Sequence, residues 1–307
     1  MNLKDNFSHE EIQALCARSN LRAWLAILAN GSIIAFAFAL VAVWPNPLTI
    51  VISLALLGGR QLGLGVLMHE CGHGTLFKSR GLNQWVGKWL CAGPMLYRID
   101  DYMSNHLKHH AKAGSTEDPD LSRYQHYPMA SASFRRKLFR DFTGRTTFNF
   151  LRTSFRSNGI ITADESGRKR FDLWRLLLRL HAGIISNLAL LLTLVWLGAP
   201  ELYLLWCVAY FSFYMVFSRI RNLAEHAVVP DLFNPDPTLH TRTVLARWWE
   251  RLSFAPNHVN YHLEHHLLPS VPKYHLADFH QALNQKGLLA HAEIMVGYPG
   301  LIRKLVI

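Results

Sequence analysis

The chain has 307 residues, half of them apolar, and a formal net charge of +11. Its four cysteines form no CxxC pair, which argues against a disulfide framework and against a thiolate metal site. No nucleic-acid-binding motif accompanies the positive charge, so nucleic acid is not an expected partner. We predict one domain over residues 1–307, long enough to bury a sizeable core.

Two apolar segments come first along the chain. Residues 23–44 and 48–68 are long enough to cross a bilayer as helices, and a short turn at residues 45–47 joins them. A turn this short forces the helices to be antiparallel, which predicts a transmembrane hairpin. The first segment follows a polar stretch and lacks a small-residue cleavage pattern, so we expect no signal peptide.

Arg60 interrupts the second apolar segment. The helix either leaves the hydrocarbon early and extends into the cytoplasm, or the arginine has a buried partner. We favour the early exit.

The second segment leads into the motif HECGH, in which His69 and His73 are four residues apart. On a helix, both imidazoles lie on one face.

Residues 82–97 follow, and they are too short and too polar to cross a membrane. Trp85 and Trp89 are one turn apart in this stretch, which predicts a segment at the membrane interface.

The motif HLKHH places three histidines at relative positions 0, 3 and 4, namely His106, His109 and His110. These positions span an arc of about 100° on a helix, so all three imidazoles can point into one cavity. Asp118 and Asp120 follow closely. Either carboxylate can hydrogen-bond a ligating imidazole, or both can belong to a solvated turn.

The long middle segment contains the basic, amphipathic stretch FRRKLFRDF at residues 134–142. We favour contact with anionic lipid headgroups for this stretch. The alternative is a docking surface for an acidic electron-carrier protein.

A second predicted transmembrane hairpin consists of residues 180–198 and 202–218, joined at residues 199–201. Neither hairpin turn contains lysine or arginine, whereas the N-terminal arm and residues 78–179 are basic. Basic loops remain in the cytoplasm, so both termini and the middle segment are predicted to be cytoplasmic. The predicted fold is an all-α integral membrane protein with four transmembrane helices in two hairpins.

The fourth apolar segment continues into SRIRNLAEHA, where Asn222 and His226 share a helical face. Beyond it lies NHVNYHLEHHLLPSVPKYH. Its HLEHH motif repeats the spacing of the second motif in His262, His265 and His266. We expect the nearby His258, and the acidic residues inside the motifs, Glu70 and Glu264, to hydrogen-bond ligating imidazoles.

The three motifs together contain eight histidines, more than the four ligands that one zinc ion takes. They suit a pair of metal ions, and nitrogen ligands with open positions suit iron that activates dioxygen. A metal transporter is an alternative from another class. It is disfavoured because a permeation path needs polar ligands at mid-membrane.

The three motifs, in this order and beside four apolar segments, resemble the histidine boxes of the membrane-bound fatty acid desaturase superfamily. That superfamily also contains hydroxylases and ketolases acting on fatty acyl, carotenoid or alkane substrates. The resemblance implies a cytosolic helical cap that holds two ferrous ions, with O2 as co-substrate. The implied iron ligands are His69, His73, His106, His109, His110, His226, His262, His265 and His266, with Asn222 acting through water.

The resemblance also implies an activity, which is formation of a double bond in a fatty acyl chain. HECGH looks like the first box of plant and bacterial acyl-lipid enzymes, so an acyl lipid in a bacterial inner membrane is the expected substrate and setting. Hydroxylation or keto-group formation is the alternative. No haem-binding HPGG motif is present, so electrons are expected from a separate ferredoxin, rubredoxin or cytochrome b5.

Overall fold

Helices form most of the chain in the computed structural model, which describes residues 3–163 and 167–307. In chain order the elements are α1 (His9–Leu15), α2 (Asn20–Val43), α3 (Pro47–His73), α4 (Arg80–Val86), α5 (Ile99–Lys112), α6 (Ser131–Phe142), α7 (Arg145–Ser157), β1 (Ile161–Ala163), β2 (Lys169–Phe171), α8 (Leu173–Trp196), α9 (Leu202–Phe211), α10 (Phe213–His226), α11 (Pro237–His240), β3 (Arg242–Leu245), α12 (His262–Leu267), α13 (Leu276–Gln285), β4 (Glu293–Val296) and α14 (Tyr298–Lys304).

Four helical stretches are long and apolar enough to cross a membrane: His9–Val43, Pro47–His73, Leu173–Trp196 and Leu202–His226. Each overlaps one of the four predicted spans. The last stretch is broken at Ser212, whose backbone (φ −122°, ψ −89°) separates α9 from α10. At the first turn between spans, Asn46 caps α3 by accepting hydrogen bonds from the backbone N–H groups of Leu48 and Thr49.

Helix α3 occupies the centre of the fold. It packs against α2, α9 and α10, and it also contacts α5 and the segment that precedes α12. Its second half is almost entirely buried, up to and beyond His69. This helix therefore carries the first histidine motif directly from the apolar bundle into the polar part of the molecule.

Arg60 is buried in α3, and its Nη2 donates a hydrogen bond to the carbonyl oxygen of Arg251 at 2.7 Å. The two backbone segments approach closely here, since a Cβ on Gly59 would lie 2.0 Å from the carbonyl oxygen of Leu252. The arginine therefore has a buried partner, a backbone carbonyl 191 residues later in the chain, as the second interpretation required. The early exit of this helix from the hydrocarbon stays a prediction.

The prediction of a mostly helical chain is confirmed, but the all-α expectation is corrected by two short sheets. Strands β1 and β2 pair antiparallel, with Ile161 opposite Phe171. Strands β3 and β4 pair in parallel, and the fully buried Arg242 donates from Nη2 to Glu293 Oε2 at 2.6 Å. Strands of three or four residues are too short to produce a recognisable alternation in the sequence.

Candidate metal centre

The nine predicted histidine ligands lie in two groups. The five-histidine group contains His69, His73, His106, His110 and His265. The four-histidine group contains His109, His226, His262 and His266. Within each group, one candidate ligand atom per residue lies within 4.8 Å of all the others.

The second and third motifs divide their histidines between the groups in opposite ways. In α5, the pair at i and i+4 (His106 and His110) joins the five-histidine group, and His109 joins the other. In α12, the i and i+4 pair (His262 and His266) joins the four-histidine group, and His265 joins the other. Each of these two helices therefore contributes histidines to both groups. This division is expected, because residues i and i+4 share a helical face and residue i+3 is offset from it.

The five-histidine group is organised around the Nε2 atom of His106. This atom lies 2.8 Å from Nε2 of His69, 3.0 Å from Nε2 of His73 and 2.9 Å from Nε2 of His110. Nitrogen ligands about 2.1 Å from one metal ion and at right angles to each other are roughly 3 Å apart. The spacing of these atoms therefore fits a shared metal ion.

The four-histidine group has similar spacing. Nε2 of His262 lies 2.9 Å from Nε2 of His226. Nε2 of His266 is buried and has no hydrogen-bond partner within residues 3–163 and 167–307, which fits an atom that binds a metal. The rings of His110 and His266 stack with their centroids 4.3 Å apart, so the two groups adjoin.

Three carboxylates lie beside imidazoles of the two groups. Nδ1 of His109 donates to Asp118 at 2.9 and 3.0 Å, which fixes the tautomer of His109 and leaves its Nε2 free for a metal. Nδ1 of His69 lies 3.3 Å from Glu70 Oε1, and Nδ1 of His262 lies 3.4 Å from Glu225 Oε1.

Glu225 was not among the residues predicted to contact imidazoles. Its position directly before His226, and four residues after its ion-pair partner Arg221, was the available signal. His240 was also not predicted to support the groups. That histidine is buried, and its carbonyl oxygen accepts a hydrogen bond from Nδ1 of His226 at 3.2 Å.

Three other predicted orienting residues have different neighbours. Asp120 contacts Asn105 and Arg123 instead of an imidazole of either group.

Glu264 accepts from Thr243 Oγ1 at 2.6 Å and pairs with His280 Nδ1 at 2.5 Å, so it joins α12 to β3 and α13. His258 belongs to neither histidine group, and its ring stacks on Tyr261. Within the described residues, neither side chain has a hydrogen bond to a histidine of the two groups.

Burial keeps the imidazoles in the neutral form that binds metals. It lowers the pKa of His110 to about 3, with a further contribution from the neighbouring His73. The pKa values of His262, His265 and His266 are lowered well below their ordinary range for the same primary reason. Burial by itself would raise the pKa of the Asp118 carboxyl, but hydrogen bonding to His109 outweighs it and the pKa is lowered.

A cavity of about 370 Å³ reaches both histidine groups. Its wall includes the apolar side chains of Leu62, Val66 and Val259, and Asn222 and His226 both line it. Polar and charged side chains also form part of the wall. It includes Arg98, Asp101, Arg123, Ser154, Ser157 and Asn158, together with Leu96 and Tyr97 from the end of the segment predicted to be interfacial.

Comparison with known proteins places these features in a family. A fatty acid desaturase family model matches residues 44–296. The dihydrorhizobitoxine desaturase of Bradyrhizobium elkanii is 28% identical over 238 residues, which cover 75% of this chain and 65% of that protein. The sn-1 oleoyl-lipid 12-desaturase of Synechocystis sp. is 26% identical over 245 residues, covering 74% and 66% respectively.

A third relative matches a shorter stretch of the chain. The sn-1 acyl-lipid omega-3 desaturase (ferredoxin) of Synechocystis sp. is 41% identical over 61 residues, or 20% of this chain and 16% of that protein. The chain spans slightly less than two thirds of the length of the first two relatives. The histidine groups fit a histidine-box di-iron family. Because the family model covers most of the chain, the protein belongs to the fatty acid desaturase family.

Proposed function

We propose that the chain is a membrane-bound di-iron desaturase that uses O2 to introduce a double bond into the fatty acyl chain of a membrane lipid. The observation that carries the proposal is the pair of adjoining histidine groups at one cavity, with buried, neutral imidazoles whose nitrogen atoms have the spacing of ligands to one ion. The family and the names of the relatives support the desaturase reaction.

Each histidine group would hold one ion, and Asn222 would contribute through water beside His226. Imidazole-only sites with open positions suit iron, which would activate O2, with electrons from the separate donor, for oxidation of an unactivated C–H bond.

The protein's own contribution is orientation and exclusion of water. Asp118 holds the ring of His109 through Nδ1, which keeps its Nε2 directed into the four-histidine group. Glu70 and Glu225 lie beside Nδ1 of His69 and His262 and would support those rings. Leu62, Val66 and Val259 provide an apolar wall that can hold an alkyl chain beside the histidines. A fixed chain presents one methylene to the centre, and this positioning lowers the entropic part of the barrier.

The proposed setting follows the distribution of charge. Both termini and the histidine groups would face the cytoplasm of a bacterial inner membrane, and residues 1–307 would form one domain. Electrons would come from a separate ferredoxin, rubredoxin or cytochrome b5. The name of one relative includes ferredoxin, which supports the first of these donors.

Expression in a bacterial host with a co-expressed ferredoxin and its reductase tests the proposal. Total lipids and polar metabolites are compared by mass spectrometry between wild type and His262→Ala. A product lighter by two hydrogen atoms, present only with the wild type, supports desaturation. A product carrying an added oxygen atom supports the hydroxylase or ketolase alternative. Purified wild-type protein that contains no iron would contradict the proposal.

A further inference from the structure

We propose that residues 131–157, here named the α6–α7 corner, lie in the headgroup layer of an anionic bilayer and form the side of the cavity mouth that faces the lipid. The proposal rests on the membrane setting of the proposed function. It adds the surface through which an acyl lipid would reach the histidine groups.

The charge of the α6–α7 corner is strongly positive. It contains seven basic residues and one acidic residue. The acidic residue, Asp141, is fully buried and accepts a hydrogen bond from Arg219 Nη2 at 2.8 Å, so it does not offset the surface charge. All the basic residues except Lys137 are exposed: Arg135, Arg136, Arg140, Arg145, Arg152 and Arg156. Such a surface complements anionic lipid headgroups.

Large apolar side chains lie among these arginines. Phe139 is 68% exposed, Phe142 is 51% exposed and Phe148 is 61% exposed. Exposed phenylalanines combined with basic residues are typical of helices that lie in a membrane interface. An acidic protein partner would account for the charges alone, whereas a bilayer surface accounts for both the charges and the rings.

The α6–α7 corner is attached to one of the candidate membrane spans. Thr147 Oγ1 donates to the carbonyl oxygen of Phe211 at 3.4 Å, and the rings of Phe142 and Phe213 are in edge-to-face contact at 5.4 Å. Phe211 and Phe213 flank the break at Ser212, inside the span Leu202–His226. The exposed surface of the corner is therefore continuous with a surface that faces lipid.

The opposite side of α7 belongs to the cavity. Phe150, Thr153, Ser154 and Ser157 all line it, and Phe150, Thr153 and Ser157 are also exposed at the protein surface. The cavity thus opens along α7. A lipid whose headgroup binds the arginines of the corner can place its acyl chain past α7 and into the cavity.

Depth-dependent fluorescence quenching in liposomes tests this assignment with three matched substitutions. Phe36→Cys lies on α2, Phe148→Cys on α7, and Phe233→Cys in the loop between α10 and α11, where the phenylalanines are 56%, 61% and 53% exposed. Each is made in a Cys16→Ser, Cys207→Ala background, because Cys71 and Cys91 are buried. A nitrobenzoxadiazole label is attached, and the bilayer contains phosphatidylglycerol and phosphatidylcholine with brominated acyl chains.

We expect a blue shift and quenching at positions 36 and 148 and neither effect at position 233. Replacing phosphatidylglycerol by phosphatidylcholine should reduce quenching at position 148 only. If position 36 is quenched and position 148 behaves like position 233, the proposal is overturned. It is equally overturned if only an added acidic ferredoxin changes the emission at position 148. Absence of quenching at position 36 would instead contradict the membrane setting itself.

Discussion

The four-histidine group and the five-histidine group differ in how their imidazoles are supported from outside. In the four-histidine group, Nδ1 atoms of three members lie within 3.4 Å of an acceptor oxygen, supplied by Asp118, by the carbonyl of His240 and by Glu225. In the five-histidine group, within the described residues, only His69 has such an acceptor, which is Glu70 at 3.3 Å.

This difference shows that two sites made of one residue type need not be equally preorganised. Outer partners fix the orientation of a ligating histidine and commonly contribute much of its metal affinity. The four-histidine group should keep its geometry without a metal. The five-histidine group, whose members mainly contact one another, should depend more on the ion for its order.

The largest expected effect comes from removing one ligand from each group. His265 and His262 lie on the same helix but in different groups, so His265→Ala and His262→Ala form a matched pair. Each variant should lose product formation and retain about one iron ion per chain instead of about two. Metal analysis and lipid mass spectrometry measure both results. Loss of all iron in both variants would show that the groups do not bind metal independently.

The same pair of variants compares the affinities of the two groups. His262→Ala leaves the five-histidine group intact, and His265→Ala leaves the four-histidine group intact. Under a ferrous chelator, iron should leave His262→Ala at a chelator concentration about tenfold lower, because fewer outer contacts support the remaining group. Equal resistance of the two variants to chelation would show that the outer contacts do not make the metal affinities of the two groups differ.

Substitution of an outer carboxylate should weaken the four-histidine group without removing a ligand. Asp118→Asn retains the shape of the side chain but removes the charge that holds Nδ1 of His109. We expect a loss of about 10- to 100-fold in metal affinity or activity. Glu117→Gln is the control, since Glu117 is exposed and pairs with Lys112. Similar losses in both variants would exclude a specific role for the Asp118 contact.

The pH dependence of stability should distinguish His258 from the histidines of the two groups. Burial, with Lys273 nearby, lowers the pKa of His258 to about 4. An unfolded chain binds the proton near the ordinary pKa of about 6.5, so the stability associated with His258 is present above that pH and is lost as pH falls towards 4.

His258→Asn should therefore reduce the fall in unfolding free energy between pH 7 and pH 5 by roughly 2 kcal/mol. Asparagine tolerates the positive φ of 63° at this position. Denaturant titration in detergent measures the change. The iron content at pH 7 should be the same as in wild type, and a loss of iron would show that His258 supports one of the groups.

Glu264→Gln should change stability but have no effect on the metal centre. Glu264 contacts Thr243 and His280 rather than a histidine of either group, so the change should affect packing of α12 and not metal content. Loss of charge-assisted hydrogen bonds at this buried site should cost about 1 to 3 kcal/mol of unfolding free energy. Denaturant titration and metal analysis of the same samples test both statements, and a loss of iron would contradict the second.

The sequence by itself determined the four apolar helices and the histidine motifs. Long uncharged segments require helices in a bilayer, and their overlap with the four candidate spans follows from length and composition. Spacing of three and four residues places the imidazoles of each motif on one helical face. The family resemblance added His226, and all nine histidines recur in the two groups.

Only the tertiary structure decided which histidines share a group and which residues support them. Helical spacing specifies the direction of a side chain relative to its own helix, whereas a group depends on the angle and depth at which separate helices meet. His69 and His265, for example, approach to 3.1 Å from positions 196 residues apart. The same reason explains why Glu225 and the carbonyl of His240 were missed and why Glu264 has neighbours other than those predicted: the partners of these groups are set by packing between elements, which local spacing does not encode.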